Sequence, residues 1–336
     1  MLMGQDIDMK SMVDVMKSKS DLYIDVIENV YCVMNASVAS FSSPHPQAAV
    51  MNSSIEGTIK MRNQLEGRPR FHVQLNDNIV VGRDATAPAG ALQVDDMNFH
   101  PSVDIPSFEK EHCLHLTGPE GEFTAMNYRS THSFFPPVSV QPVVEQVSEY
   151  KLDVVLKVTT NFSAELKCSE LLVSFRTPRT TSSCKCELPG EAKKQTTDYL
   201  ETKRLVAWRI ADAEGQHEFF LHVIITLTEP CNAWTVRSMG PIAWAMAGAV
   251  TRRLNFTIMN MSLSGMAVRD VKVDKLSNDP SVPEALARGG GVMCRNQWIR
   301  YIVKSSSYVC RFCSVCCSLL RVRMSPKKSI PLRNGR

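Results

Sequence analysis

Alternation of apolar and polar side chains, repeated in many short runs, restricts this chain more than any other feature of its sequence. Leu152, Val154, Leu156 and Val158 fall on one face of an extended segment, with Asp153 and Lys157 among the residues opposite. Leu171, Val173 and Phe175 alternate in the same way, as do Phe71, Val73 and Leu75, and Leu221, Val223, Ile225 and Leu227. A period of two in β-branched and aromatic residues marks half-buried strands. Turn clusters punctuate the runs: Ser42-Ser43-Pro44-His45-Pro46, Gly118-Pro119-Glu120-Gly121, Thr177-Pro178 and Pro189-Gly190. No stretch carries a long, capped 3.6-residue period, so the pattern predicts an all-β sandwich or barrel. One immunoglobulin-type sandwich uses about 100 residues. A chain of 336 therefore needs two such units.

Three segments read as loosely structured: residues 1–20, the charged stretch 182–204, and a basic tail over 313–336. From Ala285 to Arg336 there are eleven Lys/Arg and no Asp/Glu; against a total of +4, this leaves −7 on residues 1–284. A basic end on an acidic body suits contact with phosphates. The N-terminus lacks the apolar core and small-residue cleavage site of a signal peptide. The longest apolar run, Met239–Val250, is shorter than the ~20 residues that span a bilayer. A cytosolic protein is expected, and its eleven cysteines then read as reduced thiols. The sequons at Asn35, Asn52, Asn161, Asn255 and Asn260 read as chance matches in that setting.

Motifs that carry catalysis are missing. There is no Gly-x-Ser-x-Gly elbow and no phosphate loop, and Gly289-Gly290-Gly291 lacks the strand-and-helix context of a dinucleotide site. The run Cys310-x-x-Cys313-x-x-Cys316-Cys317 has thiolate spacing suited to zinc or an iron–sulfur cluster. No second Cys/His pair lies nearby, and it reads as a Cys-rich chain end. Neither a metal, a cofactor nor an enzymatic activity is expected, and no nucleic-acid partner.

A set of ordered blocks then narrows the reading. They are Asp21-Leu-Tyr-Ile-Asp-Val-Ile-Glu-Asn-Val30, Glu56-Gly-Thr-Ile-Lys-Met-Arg62, and Val94-Asp-Asp-Met-Asn-Phe-His100 with Phe108-Glu109. Gly118-Pro-Glu-Gly-Glu-Phe-Thr-Ala-Met-Asn-Tyr-Arg129, Leu263-Ser-Gly-Met-Ala-Val-Arg269 and Gln297-Trp-Ile-Arg-Tyr-Ile302 with Ser307-Tyr308-Val309 complete the set. In this order they resemble the mu homology domain of adaptor-complex medium subunits. The resemblance leans toward adaptor complex 4, with the endocytic complex 2 medium chain as runner-up. It implies an elongated all-β mu homology domain of two β-sandwich subdomains, the second inserted into the first. On this sequence that means a linker over 1–19 and the domain over 20–312. Subdomain A takes 20–132 plus 254–312, subdomain B takes 133–253, and the tail takes 313–336.

The resemblance also implies a site for Tyr-x-x-Φ sorting signals (Φ, a bulky apolar residue), bound as an added strand. Its tyrosine pocket would contain Tyr23, Asp25, Arg62, Trp298 and Arg300, with Asp25 accepting the signal's hydroxyl. Its apolar pocket would use Leu22, Ile24, Val268, Val271 and Ile299. Tyr23 and Arg62 stand where relatives often have Phe and Lys. A second peptide site would use Phe99 and Glu109, and Lys193, Lys194, Lys203 and Arg204 would contact anionic lipid. The partners implied are cytosolic tails of membrane cargo, other adaptor subunits and an anionic membrane surface. The location implied is cytoplasmic, on trans-Golgi or endosomal vesicles, or at plasma-membrane coated pits under the complex 2 reading. Medium chains normally begin with a docking domain that nothing in this sequence matches, and residues 239–253 interrupt a stretch where relatives run straight on. From another class, a secreted glycosylated adhesion sandwich is the competing reading, and a metalloprotein at the terminal cysteines is the third.

Overall fold

The computed structural model describes residues 21–36, 49–65, 69–82, 88–189, 194–230, 252–274 and 296–312. Within them the chain is built almost entirely of strands. The first and last strands organise the rest. β1 (Asp21–Ala36) pairs in parallel with β18 (Asn296–Phe312) along its whole length, and antiparallel with β2 (Ala49–Asn63) on its other side. Sixteen extended residues span roughly 50 Å, so β1 runs the length of an elongated body.

The remaining strands of the N-terminal part are β3 (Arg70–Gln74), β4 (Ile79–Val81), β5 (Leu92–Val94), β6 (Asp96–Phe99), β7 (Cys113–Thr117) and β8 (Gly121–Ser130), with a short helix α1 (Ile105–Glu111) before β7. The inserted part holds β9 (Val138–Ser148), β10 (Lys151–Thr160), β11 (Lys167–Arg176), β12 (Thr181–Glu187), β13 (Gln195–Leu200), β14 (Leu205–Glu214) and β15 (Glu218–Leu227). The chain returns through β16 (Arg252–Met259) and β17 (Asp270–Asp274). One nine-stranded sheet runs β13-β14-β11-β16-β18-β1-β2-β8-β6. A four-stranded sheet, β12-β15-β10-β9, and a three-stranded sheet, β17-β3-β7, complete the main architecture, with β4-β5 as a two-stranded piece.

The alternating rows lie where their period demands. Leu152, Val154, Leu156 and Val158 are buried, as are Leu171, Val173 and Phe175, and Leu221, Val223, Ile225 and Leu227, all in one core with Trp208. Each such side chain contributes about 1.5–3 kcal/mol by leaving water. Phe71, Val73 and Leu75 belong to a second core. Both cores press on the same face of β1: Leu22, Ile24 and Val26 enter the second, and Val30, Cys32 and Met34 the first.

One expectation changes. The stretch 182–204 is not a loop, because β12 and β13 occupy most of it. Both are edge strands with polar residues on both faces, so no apolar row announces them. The expected boundary at 253/254 falls inside β16, which pairs with β11 and sends Leu254, Phe256 and Ile258 into the core of the inserted part. Residues 1–20, 239–251 and 313–336 lie outside the described residues. Among the described residues no helix is long and apolar enough to cross a membrane.

Candidate functional site

β18 has an unequal outer edge. Its C-terminal part pairs with β16, from the Met259–Ile302 pair onward. The last contact before the opening is the Asn260 N–H, which donates to the Tyr301 carbonyl at 2.7 Å. Backbone groups alternate direction along a strand, so Gln297 and Ile299 also turn their N–H and C=O outward. Among the described residues no strand pairs with this stretch of edge. An open edge with one N–H and one C=O on every second residue is a template for another strand.

The two faces beside that edge differ in chemistry. On the outer face, the Arg300 guanidinium grips the Asp25 carboxylate in a fork, Nε to Oδ1 at 2.6 Å and a terminal nitrogen to Oδ2 at 2.7 Å. Register produces the contact, since Asp25 and Arg300 are direct partners across β1 and β18. That bond, followed by the attraction of the Asp25 charge, raises the Arg300 pKa further. Two residues away, the Arg62 guanidinium lies over the Tyr23 ring, 4.3 Å from its centroid. Arg62 and Trp298 are the register partners of Tyr23 on either side. Lys60, the other partner of Asp25, forms an ion pair with Glu122 at 3.0 Å. The sequence reading missed Lys60, because its place depends on the register between β1 and β2.

The inner face is apolar. Leu22 and Ile24 are fully buried, Val268 and Val271 nearly so, and Ile299 is half-buried against the same core. Leu22 and Ile24 therefore support this surface from beneath and do not line it, a departure from the role expected of them. The alternation that turns Tyr23 and Asp25 outward turns these neighbours in.

A buried carboxylate fixes the segment that carries Val268. Glu28 is fully buried and accepts hydrogen bonds from the Leu263 amide (2.5 Å), the Ser264 amide (3.2 Å), the Ser264 hydroxyl (2.5 Å) and the Tyr128 hydroxyl (2.7 Å). Burial, and then the Glu28 charge, push the Tyr128 pKa far above its ordinary value. Further along, the Ala267 amide donates to Asn76 Oδ1 at 2.6 Å and the Val268 amide to the Tyr301 hydroxyl at 3.0 Å. The segment is thus tied to β1, β18 and the turn after β3. Gly57 makes room for this arrangement: a Cβ there would meet the Tyr128 ring at 1.9 Å.

The other expected residues are placed apart. Phe99 ends β6, the terminal strand of the nine-stranded sheet, and its ring packs on Phe108 at 4.7 Å. Glu109 is exposed on α1. A polar cleft of about 240 Å³, lined by Asp95, Asp96, Arg129 and Thr131, lies at the other end of β6. The three described cations among the four expected to meet lipid do not form one patch. Lys194 precedes β13 and pairs with Asp212 at 3.4 Å, whereas Lys203 and Arg204 follow its far end, about 20 Å away along the strand. Lys193 lies outside the described residues, as does most of the Cys310–Cys317 run. Among the described residues no group of three or more His, Cys, Asp or Glu could hold a metal ion.

An elongated body of two cores on one long sheet, with an open edge beside its parallel terminal strands, is the architecture of a mu homology domain. It superposes on the yeast delta-COP-I mu-homology domain with a TM-score of 0.57 at 12% identity, covering 87% of this chain and 98% of that one. With the Fcho1 mu homology domain of Danio rerio, solved with a bound Eps15 peptide, the TM-score is 0.51 at 11% identity, covering 88% and 99%. The model of the adaptor complexes medium subunit family matches residues 9–312, and the chain belongs to that family. It is 28% identical to the AP-4 complex subunit mu of Arabidopsis thaliana over 88% of this chain and 60% of that protein. It is 26% identical to the AP-2 complex subunit mu of Dictyostelium discoideum over 88% and 61%. The chain thus spans about 60% of the length of these relatives.

Proposed function

We propose that this chain is the cargo-reading part of a vesicle-coat adaptor, binding Tyr-x-x-Φ signals in the cytosolic tails of membrane proteins and carrying out no catalysis. The observation that carries the reading is the open edge at Gln297–Ile299, flanked by a charged aromatic face and an apolar one. An extended peptide on that edge gains backbone hydrogen bonds whatever its sequence. Side chains three residues apart on a strand point to opposite faces. The signal tyrosine then meets Asp25, Arg300 and the Arg62–Tyr23 stack, while Φ meets Ile299 and the rims of Val268 and Val271. The fork with Arg300 holds the Asp25 carboxylate in place and leaves acceptor capacity for a phenolic O–H.

In this reading the partners are membrane cargo and the other subunits of an adaptor complex, on trans-Golgi or endosomal vesicles. The complex 4 assignment is favoured by the blocks Asn127-Tyr-Arg129 and Ser307-Tyr308-Val309; plasma-membrane coated pits go with the complex 2 alternative. A second peptide site at the free edge of β6, beside Phe99 and Glu109, is kept because β6 ends the sheet. Calorimetric titration of a Tyr-x-x-Leu peptide against wild type and Asp25→Ala tests the main site. Micromolar binding by wild type and a loss of at least about tenfold in the variant are expected, the scale of one hydrogen bond to a charged group. No binding by wild type sinks the reading.

A further inference from the structure

Two thiols share one face of an edge strand. Cys184 and Cys186 lie two residues apart on β12, and the period of two turns both toward the core of the inserted part. Their register partners on β15, Ile225 and Val223, are buried in that core. β12 ends the four-stranded sheet, so its outer edge pairs with no strand among the described residues. Both cysteines are half-buried there. Of the other cysteines whose side chains are described, Cys32, Cys113 and Cys168 are buried, each on a different strand.

The two side chains act on each other. Their hydrogen bond lowers the Cys186 pKa, against burial and the Asp198 charge, and raises that of Cys184. Cys186 is thus the first of the pair to ionise, with the Cys184 S–H donating to it. Burial instead raises the pKa of Cys113 and Cys168, which makes them poor nucleophiles. Two residues of extended strand separate their Cα atoms by about 6.6 Å, at the upper end of what a disulfide bridges. An edge strand can shorten by a slight pucker, because only one of its sides is tied into a ladder. The register of β12 on β15 already shifts between Thr181 and Ser183. A bridge so placed is strained, and a strained bridge is easily reduced.

We propose that Cys184 and Cys186 form a reversible redox-modification site, oxidised by peroxides to an intrastrand disulfide and reset by small thiols such as glutathione. The Cys186 thiolate attacks one peroxide oxygen. The O–O bond breaks, the leaving oxygen takes up a proton to become water, and Cys186 becomes a sulfenic acid. The Cys184 sulfur then displaces that hydroxyl: the S–S bond forms, the S–O bond breaks, and a second water leaves with the Cys184 proton. The pair gives up two electrons and the peroxide takes them. Two glutathione thiols reverse the change and leave as oxidised glutathione. The site lies in the inserted sandwich and stands or falls independently of peptide binding at β18.

The test treats the full chain with hydrogen peroxide, blocks the remaining thiols with iodoacetamide under denaturing conditions, and digests with trypsin for mass spectrometry. Lys185 lies between the two cysteines, so cleavage after it separates residues 180–185 from 186–193 unless a disulfide joins them. The expected product is that joined pair of peptides, two hydrogens lighter than the sum of its parts. It should disappear when glutathione is added before the block. Cys184→Ser is expected to stop the reaction at a Cys186 sulfenic acid, which dimedone traps. Cys186→Ser is expected to lose both the joined pair and most of the dimedone label on this strand. Wild type whose two cysteines are recovered alkylated, or joined to cysteines elsewhere in the chain, overturns the proposal. So does a joined pair that glutathione leaves intact.

Discussion

Glu28 interrupts the core-facing row Leu22, Ile24, Val26, Val30, Cys32, Met34, and it does so at the seam between the two cores. A buried carboxylate persists only with its acceptors filled. Here two backbone amides and the Ser264 and Tyr128 hydroxyls fill them. Glu28→Ala strands those donors, and urea denaturation should show a loss of about 3–5 kcal/mol; a change below 1 kcal/mol would show that the hub is dispensable. Its partners 100 and some 235 residues away are invisible in the sequence, although a charge in an apolar row is a readable sign of a buried polar role. Asp25 and Arg300 were legible only through motif blocks, since nothing local links residues 275 apart. Their chemistry carries a second prediction. A phosphotyrosine in the signal sets a dianion against Asp25, and Arg300 is already committed to that carboxylate. Calorimetry should show at least a tenfold weaker phosphopeptide, and equal affinity of the two forms would rule out this geometry.

At the scale of elements, the long apolar rows of β10, β11 and β15 were readable because each has one face in the core. β12 and β13 escaped because edge strands that offer the core only Cys184, Cys186 and Tyr199 among polar residues look like loops. The parallel pairing of β1 with β18 was beyond any local pattern, as it joins the two ends of the domain. In the proposed reading that pairing matters, because it leaves the first residues of β18 with one edge joined to β1 and the other unpaired by any strand among the described residues. Gln297→Pro removes an outward N–H while the inward ladder to β1 is carried by its even-numbered neighbours. Peptide affinity is expected to fall at least about tenfold with a melting temperature within a few degrees of wild type. Full affinity in this variant would exclude strand addition at Gln297.

Among the described residues one long sheet is shared by two cores, and β16 shows why the chain order and the packing order disagree. It returns from the insertion, yet its side chains complete the inserted core. We propose that subdomain B physically includes β16, which shifts the expected boundary at 253/254 toward Met259. The edge proposed to take the peptide lies on the other core, beside Leu22 and Ile24. The central claim, strand addition at β18, is tested most directly by amide hydrogen exchange with and without a saturating Tyr-x-x-Leu peptide. The Gln297 and Ile299 amides should exchange rapidly in the free chain and become protected in the complex. A complex that leaves both unprotected, or that protects β6 in their place, contradicts the account.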